Sequence, residues 1–202
     1  QDLVIASGGN EFYGRDKHMM PRVYLNDGAG NFVRNENAFQ GLYLTASCIE
    51  PYDFNSDGYV DLFLGARAVP FEYGEKPQSY LLQNDGKGNF RDVTDVMGKG
   101  LSSIGFVAHA TWVDIDKDDD TDLILALEWD GIYALINDKG RFSQKALTKK
   151  KGLWKFSFRV DVDKDGDLDL LLHFLFKDTG LQCSDTEGFI TGITKDNKPF
   201  KS

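Results

Sequence analysis

Cysteine, histidine, methionine and proline are all scarce in this chain, with two, three, three and five copies among 202 residues. Two cysteines without close spacing exclude a disulfide framework and a zinc knuckle. Cys48 lies in an apolar strand-like stretch, where a buried free thiol is expected, and Cys183 lies in the polar segment L-Q-C-S-D, open to a partner outside this chain. His18, His109 and His173 form no H-x-H or H-E-x-x-H pattern, which removes the usual zinc chemistry. His109 and His173 sit in apolar strand segments and are expected to be packed or channel-lining. A G-x-S-x-G elbow is missing, so nucleophilic triad chemistry is not expected either. No apolar run reaches the roughly 18 residues of a membrane-spanning helix. Positive charge is also thin: the Lys149–Lys151 triplet is too short for a nucleic-acid stripe, so no nucleic-acid partner is expected.

What the chain does have is clustered aspartate. Three nine-residue segments, D-F-N-S-D-G-Y-V-D at 53–61, D-I-D-K-D-D-D-T-D at 114–122 and D-V-D-K-D-G-D-L-D at 161–169, hold 14 of the 32 acidic residues and two of the 23 basic ones. Their combined charge of -12 leaves +3 for the remainder of a chain whose net charge is -9. Three divalent ions would bring the total to roughly -3, so the acidity reads as ligand charge.

Each segment carries Asp or Asn at positions 1, 3, 5 and 9, a spacing that converges hard oxygens on one cation. The expected calcium ligands are Asp53, Asn55, Asp57, Tyr59 through its carbonyl, and Asp61 in the first loop. Asp114, Asp116, Asp118, Asp120 and Asp122 serve the second, and Asp161, Asp163, Asp165, Asp167 and Asp169 the third. Three Ca2+ sites are therefore expected. Gly58 and Gly166 stand at position 6, where a sharp turn favours a residue without Cβ. Asp119 replaces that glycine in the middle loop and predicts a strained or weaker site. The helix-flanked calcium hand is disfavoured, because position 12 is Leu64, Leu125 or Leu172 instead of Glu, and each loop runs directly into alternating β residues. Clustered carboxylates repel without the ion, so binding and folding should be coupled.

The loops recur in register with a second motif. N-D-G-A-G-N-F at 26–32, N-D-G-K-G-N-F at 84–90 and N-D-K-G-R-F at 137–142 each follow a short apolar strand and read as hairpin turns. One unit then runs strand at 42–50, acidic loop, V-D-L-F-L-G, S-Y-L-L-Q-N, turn, and F-R-D-V-T as the fourth strand. The next has F-V-A-H-A-T-W-V, T-D-L-I-L-A-L, G-I-Y-A-L-I-N and R-F-S-Q-K. The last has L-W-K-F-S-F-R-V, L-D-L-L-L-H-F-L-F, G-F-I-T-G-I-T and a short terminal strand. The fold expected is all-β, a partial β-propeller of four-stranded antiparallel blades with calcium loops between first and second strands. The single repeat array 1–202 divides into a partial blade at 1–40, blades at 41–97 and 102–147, and a divergent blade at 152–202. Q-D-L-V-I-A aligns with V-D-L-F-L-G, which makes Asp2 the ninth residue of a loop whose first eight positions are missing, so the chain is expected to enter mid-blade. Fewer blades than a closed ring requires implies completion by the rest of a longer propeller or by a second chain.

On these loops and turns the chain resembles the FG-GAP or VCBS repeat family over residues 1 to about 175. S-G-G-N-E-F-Y-G and L-L-Q-N-D-G-K-G-N-F-R-D-V-T are also similar to bacterial secreted repeat proteins that accompany ASPIC/UnbV-type domains. The resemblance implies a calcium-bearing propeller, usually extracytoplasmic (secreted, periplasmic or at the cell surface), serving adhesion, ligand recognition or assembly. Asp119 and the 176–202 tail depart from the pattern.

The function expected is non-catalytic binding of a protein or glycan through the long segments 9–21 and 66–77, where Tyr13, Arg67, Glu72 and Tyr73 lie. Trp129, in L-E-W-D-G, is the exposed stacking candidate, whereas Trp112 and Trp154 are expected in the core. The alternative is part of a polysaccharide-processing lyase or hydrolase on the same scaffold, which would need acids or bases clustered away from the metal loops.

Overall fold

The computed structural model describes residues 1–148, 151–160, 169–174, 191–193 and 199–201. Fifteen strands appear among them, with a single four-residue α-helix and two 3-10 turns. Strands β1 (Leu3–Ile5), β2 (Arg22–Asn26) and β3 (Phe32–Asn35) form a first antiparallel sheet. Strands β4 (Thr45–Tyr52), β5 (Asp61–Ala68), β6 (Tyr80–Asn84) and β7 (Phe90–Asp92) form a second, in sequence order. In the third, β8 (Phe106–Val113), β9 (Asp122–Asp130), β10 (Ile132–Asp138) and β11 (Arg141–Ala146) repeat that order, and β12 (Gly152–Val160) also pairs with the end of β9 before pairing with β13 (Asp169–Phe174). Strands β14 (Thr191–Ile193) and β15 (Pro199–Lys201) make a small hairpin. The architecture is all-β, and no closed ring of sheets forms among the described residues.

Two departures from the sequence expectation have local causes. The fourth strand of the second sheet stops at Asp92 instead of running through Thr94, because the Asp92 carboxylate accepts from the Thr94 N–H (2.9 Å) and hydroxyl (2.5 Å) and turns the chain into helix α1 (Thr94–Met97). β12 joins β9 as well as β13, because β9 continues past Leu127 to Asp130 and offers Glu128 and Asp130 as partners to Leu153 and Gly152.

Burial explains why the second strand of each unit reads as an almost unbroken apolar run. Leu62, Leu64 and Ala66 of β5 pack with Val23, Ala38 and Phe39 of the first unit and with Leu42. Phe63, on the opposite face, packs with Leu123, Leu125 and Leu127 of β9. Ile124 faces away again, toward Ile132, Ala134 and Trp154. Sheets thus stack face on face, and the central strands are buried on both sides. Each fully buried large side chain contributes about 1.5–3 kcal/mol by removal from water.

Trp112 anchors the junction of the second and third units. Its ring lies 5.2 Å from Tyr52, 6.3 Å from Phe54 and 6.1 Å from Phe142, and its Nε1 donates to the Glu50 carbonyl at 3.2 Å. Gly65 permits the close approach of β5 and β8, since a Cβ there would fall 2.6 Å from Cys48 Sγ and 2.8 Å from Val107 Cγ1. Ser47 Oγ crosses the same junction to the Val107 carbonyl at 2.6 Å. Cys48 is a free thiol; the residue keeps some exposure, but burial of the sulfur and then the nearby Glu50 charge push it up to about 12. No helix among the described residues is long and apolar enough to cross a membrane.

Candidate metal centre

Antiparallel order fixes where the functional loops lie. The acidic loop between β4 and β5 and the Asn-Asp-Gly turn between β6 and β7 share one end of the sheet, and the β5–β6 connection lies at the other. Tyr59 and Gly86 register this proximity, because a Cβ on Gly86 would meet the Tyr59 ring at 2.6 Å. The third sheet repeats the arrangement with its acidic loop between β8 and β9.

In the first loop, Asp53 closes the turn by accepting from the Asp57 N–H (3.1 Å) and the Gly58 N–H (2.8 Å), with Gly58 at φ +88°. Asn55 accepts from the Asp57 N–H at 2.9 Å, and its Nδ2 donates to Asp57 Oδ2 at 3.0 Å. Desolvation is the largest single influence on the Asp57 carboxyl and raises it, but hydrogen bonds from the Tyr59 N–H, Asn55 and Gln83 together outweigh it and hold the group below its usual range. Asp61 behaves oppositely. It is fully buried, and desolvation, followed by the Asp57 and Asp53 charges, raises its carboxyl to about 6. Oδ1 accepts from the Asn84 N–H at 2.8 Å, while Oδ2 has no hydrogen-bond partner among the described residues, the Phe54 N–H bearing on the carboxyl without completing a bond to that oxygen.

The second loop is bonded differently. Asp114 accepts from the Lys117 N–H (2.6 Å) and the Asp119 N–H (3.1 Å), and Asp118 accepts from the Asp120 N–H at 2.9 Å. Carboxylate oxygens of Asp114, Asp116 and Asp122 all lie within 4.8 Å of one another, close enough to share one ion. Desolvation raises the Asp116 carboxyl first, and the Asp118 and Asp114 charges add to it. Buried Asp122 is raised by desolvation too, though both of its oxygens are occupied, by the Asn137 N–H (2.8 Å) and the Ile115 N–H (3.0 Å). Asp120 is turned toward the neighbouring hairpin, accepting from the Lys139 N–H at 3.1 Å. Asp119 adopts φ +73°, so the residue replacing glycine does take the left-handed conformation.

Asp161, Asp163, Asp165 and Asp167 lie outside the described residues, as does Cys183. Asp169 begins β13, the strand position that Asp61 and Asp122 hold in their units.

Sequence reasoning missed a clamp that the structure repeats three times. The ninth-position aspartate accepts from the backbone N–H of the turn asparagine: Asp2 from Asn26, Asp61 from Asn84 and Asp122 from Asn137, at 2.8 Å in each case. Each asparagine returns its Nδ2 to the carbonyl preceding that aspartate, Gln1 at 3.0 Å, Val60 at 2.9 Å and Thr121 at 3.1 Å. Its Oδ1 accepts from a turn glycine, Gly28, Gly86 or Gly140. The signal was present in the sequence as an Asn opening every turn.

These donors fit a hard divalent cation. A buried carboxylate oxygen without a partner in one loop and three convergent carboxylates in the other both need positive charge. An ion there would neutralise the loop and join it to the strand that the clamp already fixes.

The opposite end gathers aromatics. Tyr13 and Phe71 meet edge to face at 5.5 Å, which brings the two long connections together. Tyr13, Phe71, Tyr73 and Trp129 are all exposed, and Phe71 and Trp129 adopt φ +64° and +67°. Arg67 pairs with Glu128 at 2.9 Å, so it braces two units. Trp112 is buried and Trp154 packs against the third cluster. Half-buried His109 has its pKa lowered by desolvation. His18 stacks on Phe12 and bonds Asp16.

Residues 53–125, just over a third of the chain, match the FG-GAP-like repeat family. The matched stretch starts at the first aspartate of one acidic loop and ends just beyond the other, and indicates a distant relationship. No curated protein matches the chain.

Proposed function

We propose that this chain is a calcium-stabilised segment of a β-propeller and a non-catalytic module that binds an extracellular protein or glycan. The observation carrying this reading is the buried ninth-position aspartate, held at the same place in successive units beside further carboxylates, with no lysine or arginine hydrogen-bonded to it among the described residues. Buried carboxylates crowded by like charge favour a fold completed by cations. Asp53, Asn55, Asp57 and Asp61 would hold one ion, and Asp114, Asp116, Asp118 and Asp122 another, with Asp161 to Asp169 as the third set. Calcium would supply charge neutralisation and a cross-link between loop and strand, and no chemical turnover.

A separate end carries recognition in this reading. Exposed aromatics on the long connections, remote from the acidic loops, support a contact face that does not itself use the metal. An extracytoplasmic location accords with loops of this type, whose affinities in extracellular modules fall near about 10⁻⁴–10⁻³ M. The remaining blades of a ring would come from a longer chain or a second one.

Calcium titration by calorimetry, together with glycan and protein arrays probed with and without calcium, tests the proposal. Saturable uptake with a rise in melting temperature is expected, followed by calcium-dependent retention of one ligand class. Absence of uptake would overturn it.

A further inference from the structure

A cavity of about 310 Å³ opens beside the aromatic end, its lining including Glu11, Phe12, His18, Met19, Arg22 and Leu44. It forms where the β1–β2 connection folds over the start of β4, pinned by the Ala46 N–H on the Ser7 carbonyl (2.8 Å) and the Leu44 N–H on the Met19 carbonyl (3.3 Å). Its size is at the lower limit of ligand pockets, about 300 Å³, which suits one ring of a ligand and not a whole chain.

The polar groups in it are unusual. Arg22 makes no ion pair among the described residues, and its Nε is sealed from solvent without a hydrogen-bond partner. Leaving such a donor unsatisfied is costly, and a guanidinium is shaped to take a carboxylate through paired hydrogen bonds. Glu11 lines the same cavity without bridging to Arg22 and can only accept hydrogen bonds when ionised. The cavity thus presents a cation unpaired among the described residues, Arg22, beside an acceptor, Glu11, and suits a ligand that brings an anionic group to the first and neutral donors to the second. Phe12, stacked on His18 at 4.2 Å, Met19 and Leu44 add apolar surface, and His18 is held by Asp16 at 2.6 Å.

We infer that this cavity binds a hexuronic-acid unit of an acidic glycan, its carboxylate on Arg22 and ring hydroxyls on Glu11. An acidic peptide supplies the carboxylate but brings further side-chain carboxylates beside Glu11, whose like charge repels them. A neutral sugar supplies the hydroxyls but leaves the Arg22 charge without a counter-ion. The inference deepens the binding function proposed above by naming the ligand class, and rests on it.

The test uses the full chain in saturating calcium, with a glucuronic-acid trisaccharide, its methyl ester and a hexaglutamate peptide as probes in calorimetry. The trisaccharide should bind, with affinity falling about tenfold or more on esterification or on Arg22→Met, the loss expected for a charge-assisted pair. Glu11→Ala should weaken the trisaccharide and leave the peptide equal or stronger, and this second variant lies in an exposed segment should Arg22→Met fail to fold. Equal binding of acid and ester, or preference for the peptide, overturns the inference. Array ligands retained identically by wild type and Arg22→Met refute the cavity but keep the binding module, whereas retention of no ligand at all refutes both.

Discussion

The acidic loops at 53–61 and 114–122 share a position in the fold and differ in how they manage charge. The first has three carboxylates, a glycine at position 6 and an asparagine whose amide closes onto Asp57, so it contracts on its own hydrogen bonds and leaves a single buried oxygen of Asp61 unsatisfied. The second has six aspartates against one lysine and no such amide, and its carboxylates stand open around a common centre. Neutral amide donors allow a loop to close without metal, whereas added carboxylates trade that self-sufficiency for affinity.

The largest effect should come from withdrawing the ion. With two sites near 100 times their dissociation constants, chelation should lower the melting temperature by on the order of 10 °C, read by calorimetric scanning. Site variants then order the loops: if carboxylate count outweighs the strain that Asp119 was expected to bring, Asp116→Asn should remove the tighter binding phase and Asp57→Asn the weaker one. If Asp57→Asn removes the tighter, charge count does not set affinity here.

Next in size is the ninth-position aspartate without metal. Asp122→Asn should cost about 1–3 kcal/mol in denaturant melts under chelation, because only one of two backbone donors keeps its acceptor. Asp61→Asn should cost less, since just one oxygen of Asp61 is hydrogen-bonded. Equal losses would show that the clamp, and not charge burial, dominates both sites.

Position 6 gives a smaller contrast. Gly58→Ala should destabilise by about 1–2 kcal/mol because a Cβ is disfavoured at φ +88°, and Asp119→Gly should gain some tenths of that by relieving the same conformation at φ +73°.

The smallest is a pH response of the metal-free chain. Folded Asp61 takes up its proton near pH 6, the unfolded residue only near about 3.9. The folded state thus binds more protons between those values, and Asp61 contributes increasing stability as pH falls from 7 toward 5. Asp61→Asn should abolish that increment in melting temperature, and saturating calcium should reverse its sign by requiring the carboxylate.

Strand positions were legible where alternation met a hard boundary. F-V-A-H-A-T-W-V, between Gly105 and Asp114, is β8 residue for residue. F-R-D-V-T was not, because Asp92 competes for the backbone that a strand would have used. The loops were legible from spacing, but their difference was not, since the unpartnered oxygen of Asp61 depends on burial by residues far along the chain. Likewise, the Asp–Asn clamp joins residues 15 to 24 positions apart, and Tyr13 meets Phe71 across 58.

The sequence by itself determined the all-β class and the place of the first two acidic loops and of the hairpin turns between strands, because these depend on periodicity and local turn chemistry. Tertiary structure decided which carboxylates are buried, that Arg67 braces Glu128, and that two long connections meet beside a cavity with an unsatisfied arginine. Those outcomes follow from the stacking of sheets, which sets burial and proximity between segments that no local pattern couples.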